Sequence, residues 1–118
     1  MEIEIVLRLA LMLLAVHWLL DYPLQGDFLS KAKQAGPLRV YHLVAHCGIQ
    51  GAGVMFVTGS VWLGLAEWVL HTAIDEAKVR GKTTFAQDQS LHIACKALWL
   101  LIVLTPKMGE HMHTWAVT

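Results

Sequence analysis

The sequence predicts an all-α protein, a four-helix up-down-up-down transmembrane bundle formed as a single domain over residues 1–118. Three observations carry that prediction. Of 118 residues, 56% are hydrophobic and 15% charged, against roughly 45–50% and about 25% in soluble domains, and mean hydropathy is +0.51. The apolar residues fall into four blocks of helical length separated by polar punctuation. No block shows the alternation of period two that marks a strand.

The first block runs from Ile3 to Leu20, with Glu4, Arg8 and His17 inside it. Asp21-Tyr22-Pro23 ends it, because the residue before a proline is pushed out of the helical region. Its acidic start, Met-Glu-Ile-Glu, is unlike a basic secretory signal, and no small-residue cleavage site follows, so the block is expected to stay in the mature protein. The second block opens after Gly36-Pro37 and runs from Val40 to Val57, closed by the turn Thr58-Gly59-Ser60. The third extends from Val61 to Val79 and contains Glu67, His71 and Asp75. Gly81-Lys82-Thr83-Thr84 breaks the chain, and the fourth runs from Phe85 to Leu104, before Pro106. About eighteen to twenty residues at a rise of 1.5 Å reach roughly 27–30 Å, enough for a bilayer core. Blocks three and four reach that length only if their polar ends are helical. A buried soluble bundle is the competing reading of the same blocks.

Charge and cysteine content exclude other classes. Nine Lys plus Arg against nine Asp plus Glu leave no cationic excess to neutralise phosphates, so no nucleic acid is expected as a partner. Cys47 and Cys95 are too few for a disulfide framework and read as buried small hydrophobes. Loop 1–2 carries Lys31, Lys33 and Arg39, and loop 3–4 carries Lys78, Arg80 and Lys82. The opposite side holds Glu2, Glu4, Lys107 and Glu110. This bias places both basic loops in the cytoplasm and makes the protein a multi-pass protein of the inner (cytoplasmic) membrane. Trp18, Trp62 and Trp115 sit where interfacial anchors would.

Four i,i+4 pairs stand out: His17/Asp21, His42/His46, His71/Asp75 and Asp88/His92. Residues four apart share a helix face, so each pair can offer two side chains to one point. About one such pair is expected by chance. Two pairs end helices one and three and two begin helices two and four, ends that meet on the basic-loop side of an antiparallel bundle. Any one pair alone reads as polar residues at a headgroup boundary, but four together predict a metal centre. Five imidazoles and three carboxylates suit a divalent transition metal, Zn first with Mn or Fe as alternatives, as one or two ions. One turn deeper, Glu67 and Lys96 are placed to pair beneath the site; Arg8 is expected to pair with Glu4. Lys78 and Lys31 are expected to meet substrate charge, with Gln25 and Gln89 flanking. His111 and His113 read as a solvated tail. Gly48, Gly51, Gly53, Gly59 and Gly64 give small faces suited to close packing and to a homo-oligomer.

The segments HWLLDYPLQGDFLSKAK, HLVAH, HTAIDEAK and DQSLH, taken together over residues 15–95, resemble an uncharacterised family of small bacterial and phage integral membrane proteins, the domain of unknown function three-three-zero-seven. The resemblance implies a site at His17, Asp21, Gln25, Lys31, His42, His46, His71, Asp75, Lys78, Asp88, Gln89 and His92 without implying a reaction. A looser similarity of ligand spacing extends to inner-membrane metal-dependent hydrolases and helical zinc phospholipases. The expectation is a membrane-embedded metal-dependent hydrolase acting on a phosphoester or lipid-linked substrate at the cytoplasmic leaflet, with Asp88 as general base if it is not a ligand. The alternative is a non-enzymatic membrane protein with a structural metal and a partner-binding role. A di-metal oxidase is disfavoured, because the repeated His boxes of membrane hydroxylases are missing.

Overall fold

A computed structural model describes residues 3–105. The helices are α1 (Ile3–Asp21), α2 (Gly26–Ala32), α3 (Arg39–Thr58), α4 (Val61–Val79) and α5 (Phe85–Val103), with no strand among the described residues. The four long helices coincide with the four apolar blocks to within a residue or two. The short α2 corrects the four-helix expectation, which left this segment as loop. After Asp21 the chain passes through successive backbone turns, Leu24 N–H to Leu19 O and Gly26 N–H to Tyr22 O, and Gly26 adopts φ +67, which glycine tolerates without strain. None of α2 is buried, so it has no core-facing stripe for a hydrophobic pattern to reveal. Glu2, Pro106, Lys107, Glu110, His111, His113 and Trp115 lie outside the described residues.

Helix ends follow local chemistry. Gly59, with φ 74, closes α3 by donating its N–H to Met55 O at 2.8 Å. Ser60 then caps α4 by accepting from Leu63 N–H. Thr84 and Gln87 form a reciprocal capping box at the start of α5.

The long helices pack as a ring, α1 on α3, α3 on α4, α4 on α5 and α5 on α1, while α2 lies on α3. The closest approach is α3 on α4. A Cβ on Gly51 would meet Gly64 O at 2.6 Å, and one on Gly64 would meet Gly51 O at 2.8 Å. Gly48 is covered by Trp68, and Gly53 by Val16 and Leu20, so these small faces serve contacts within the chain. Gly51→Ala is expected to force the two backbones apart and cost about 1–3 kcal/mol. An unchanged melting temperature in detergent would contradict that crossing.

The bundle divides lengthwise. Leu9, Leu13, Val54, Val57, Leu63, Trp99 and Val103 form an apolar core at the end where α1 and α4 begin. Toward the other end the interior is polar: His17, Asp21, His46, Gln50, Glu67, His71, Asp75, Asp88, His92 and Lys96 are all buried. The outer faces are the reverse, with Leu7, Leu11, Phe56, Trp62, Val69 and Leu101 exposed. Helices α1 and α3 are long and apolar enough to cross a membrane. Helices α4 and α5 fall short because Glu67, Asp75, Glu76 and Lys78 interrupt the first and Gln87, Asp88, Gln89 and Lys96 the second. Trp18 and Trp62 are exposed, Arg8 pairs with Glu4, and Cys47 and Cys95 are free thiols, buried and half-buried respectively.

Candidate metal centre

Seven of the eight paired residues converge inside the polar end. His17 and Asp21 come from the last turns of α1 and His46 from the first half of α3. His71 and Asp75 come from the end of α4, Asp88 and His92 from the start of α5. His46 Nε2 lies 3.3 Å from Asp21 Oδ1 and 3.5 Å from Asp75 Oδ2. His71 Nε2 lies 3.7 Å from Asp75 Oδ1 and 3.9 Å from Asp21 Oδ1. His92 Nε2 lies 3.1 Å from Asp75 Oδ1 and 3.5 Å from Asp88 Oδ1. Ligand atoms of Asp21, His46 and His71 fall within 4.8 Å of one another, as do those of Asp75, Asp88 and His92. Asp75 touches both triads, so it is the shared carboxylate of the cluster. His17 sits at the edge, its Nε2 3.9 Å from Asp21 Oδ2 and its ring centroid 5.3 Å from that of His92.

His42 does not join. Its ring is half-buried and makes edge contacts with Phe28 and Tyr41, because α2 covers α3 on that side. His42→Ala is therefore expected to leave metal content unchanged, whereas His46→Ala should lower it. Equal losses in the two variants by elemental analysis would contradict this placement.

Whether these residues suit a metal is decided by their unpaired atoms. His46 Nε2, His71 Nε2 and Asp88 Oδ1 are buried and make no hydrogen bond, although buried polar groups are almost always satisfied. His71 is also oriented from behind: its Nδ1–H donates to Glu67 Oε1 at 3.0 Å, which leaves Nε2 as the bare nitrogen. A histidine ligand is commonly held in this way by a carboxylate on its other nitrogen. Lys33 and Lys78 reach Asp75 and Asp88 from the loop end, while Asp21 has only imidazoles and Gln89 beside it. The donor set fits a divalent ion of the Zn, Mn or Fe type.

Glu67 also accepts from Lys96 Nζ at 2.6 Å and from Trp99 Nε1 at 2.6 Å, so the pair expected beneath the site is formed. Gln89 ties the carboxylates together. Its Nε2 donates to Asp21 Oδ2 at 3.1 Å and Asp88 Oδ2 at 3.2 Å, while its Oε1 accepts from His17 Nε2 at 3.3 Å.

At the loop end the residues differ from those the sequence singled out. Lys31 is exposed on α2, and Lys33 instead turns inward, its Nζ 2.8 Å from Asp75 Oδ2 and 2.6 Å from Gln25 Oε1. The reason is α2 itself: Lys33 caps its C-terminus, facing α4 where Lys31 does not. Lys78 remains at the rim, 42% exposed in its side chain, with Nζ 3.8 Å from Asp88 Oδ2 and 5.0 Å from the Phe85 ring centroid. A polar cleft of about 140 Å³ opens here, lined by Gln25, Ser30, Lys33, Gln34, Asp75, Lys78 and Val79. Sequence reasoning also missed Gln50, which donates to His17 O at 3.5 Å, and Cys47, whose thiol lies among His71 and Asp75. Gln50 extends the His42–His46 spacing by another four residues, a signal that was present. Lys33 had none.

No curated protein and no solved structure matches the chain. A family model described as "Protein of unknown function (DUF3307)" matches residues 9–117. With nearly the whole chain under that match, the protein belongs to the DUF3307 family, whose function is unknown.

Proposed function

We propose that this protein is a membrane-embedded, metal-dependent hydrolase acting on a phosphoester or lipid-linked substrate at the cytoplasmic leaflet. The observation that carries the reading is the polar cleft leading to Asp75 between two lysines, because it joins a buried ligand cluster to the outside through a cationic mouth. Exposed apolar outer faces around a polar interior support a lipid setting. The cations of the two loops at the cluster's end support the cytoplasmic side. The same features support an inner-membrane, multi-pass arrangement of the four long helices, with the bilayer as partner.

His46, His71 and Asp21 would hold one ion, and Asp75, His92 and Asp88 a second, with zinc the favoured metal and manganese or iron the alternatives. A divalent ion, when bound, supplies Lewis acidity and charge neutralisation at a phosphoryl group. The chain's own residues do the rest. Gln89 holds Asp21 and Asp88 in place, and Lys78 offers a partly exposed cation at the rim. With a single ion, at Asp21, His46 and His71, Asp88 is not a ligand and its buried, unpaired Oδ1 would take a proton from a nucleophile.

One observation favours a second reading. The cluster draws side chains from all four long helices, so an ion there would staple the bundle, and function would then lie in partner binding. Hydrolysis assays with a soluble phosphate monoester and with phosphatidate separate the two. The enzymatic reading expects turnover that a chelator abolishes and that Lys78→Ala lowers about 10–100-fold at unchanged metal content. Full metal loading with no turnover of either substrate, or Lys78→Ala with wild-type turnover, supports the staple.

A further inference from the structure

Lys33 is 9% exposed, and its ammonium is held by Asp75 Oδ2 and Gln25 Oε1. It therefore competes for a carboxylate that a metal ion would also claim. With imidazoles neutral, as ligation requires, Asp21, Asp75 and Asp88 bring three negative charges to the site. Lys33 and Lys78 bring two positive ones, while Glu67 and Lys96 cancel beneath it. With two divalent ions bound the set would carry three excess positive charges. An excess of that sign in a partly enclosed cleft draws in an anion. Sharing Asp75 with a divalent ion also weakens its hold on Lys33. The lysine's flexible four-carbon stem allows the ammonium to turn away. The cleft beside it is about 140 Å³, about ten times the roughly 10–15 Å³ that one water requires.

We propose that this cleft seats the phosphate group of the substrate, and that Lys33 exchanges Asp75 for a phosphoryl oxygen once metal holds Asp75. Lys78 closes the mouth from the α4 side. The proposal rests on the metal-centre reading and adds to it the residue that meets the phosphate and the coupling of the two ligands. Because coupling free energies are reciprocal, metal tightens phosphate binding and phosphate tightens metal binding by the same factor.

The test is calorimetric titration of the full chain in detergent with inorganic phosphate, with and without Mn²⁺, alongside metal content by elemental analysis. Phosphate is expected to bind at least about 10-fold more tightly to the metal-loaded protein, equivalent to about 1.4 kcal/mol. Lys33→Gln is expected to lose that gain at unchanged metal content, Lys33→Arg to keep most of it, and Lys31→Gln to change nothing. If Lys33→Gln does not fold, the metal dependence in the wild-type chain still decides. A metal-loaded chain with unaltered phosphate affinity, or Lys33→Gln binding phosphate like the wild type, overturns the proposal alone. A chain that takes up no metal overturns it together with the proposed function. Displacement of phosphate by phosphatidate-bearing nanodiscs assigns the group to a lipid headgroup, and retention assigns it to a soluble phosphoester; both uphold the seat.

Discussion

Asp75→Asn is expected to weaken metal binding by about 100-fold or more, beyond the roughly 10–100-fold attached to groups that only orient ligands. Its two oxygens face different partners: Oδ1 lies 3.1 Å from His92 Nε2 and 3.7 Å from His71 Nε2, Oδ2 2.8 Å from Lys33 Nζ and 3.5 Å from His46 Nε2. Asparagine preserves the shape but removes the charge. The buried Lys33 ammonium is then left with a neutral partner, so the metal-free variant should also melt at a lower temperature. Asp88→Asn touches His92, Gln89 and the rim lysine but not Lys33, His46 or His71, and should cost less of both. Metal titration and thermal unfolding of the two variants check the ranking; Asp75→Asn with the smaller loss would show that Asp75 is not the shared ligand.

Glu67→Ala is expected to give the largest stability loss, about 3–5 kcal/mol, because it strands the Lys96 charge in the interior. Glu67 is 1% exposed and Lys96 3%, so neither can turn to solvent in place. The double variant Glu67→Met with Lys96→Met removes both charges and should recover most of that stability. It should not recover metal affinity, since the His71 Nδ1–H loses the carboxylate that orients it, at a cost of about 10–100-fold. Stability and metal affinity thus separate in one pair of variants. Recovery of both in the double variant would mean that Glu67 has no part in orienting His71.

The long helices were legible because each carries a dense apolar run between unmistakable breakers, Pro23, Gly36-Pro37, Gly59 and Gly81. The cluster was legible for a related reason: four-residue spacing fixes a side chain's face without knowledge of tertiary contacts. Antiparallel connection then brings the correct ends together. What escaped depends on where α2 lies. Helix α2 has no buried stripe, yet it lies on α3, bringing Phe28 to His42, and carries Lys33 to Asp75. Spacing alone treats His42 and His46 as equals and cannot choose Lys33 over Lys31. Only α1 and α3 are long and apolar enough to cross a membrane, since polar residues lower the hydropathy of α4 and α5. Glu67, Asp75, Asp88 and Lys96 among them are buried, a distinction composition does not register.

Elemental analysis of the purified full-length chain tests the central claim most directly. One or two equivalents of a zinc-type transition metal per chain are expected, falling together with melting temperature on chelation. Protein that is metal-free after purification and after incubation with Zn²⁺, Mn²⁺ or Fe²⁺, and that melts at the same temperature in each, would contradict it.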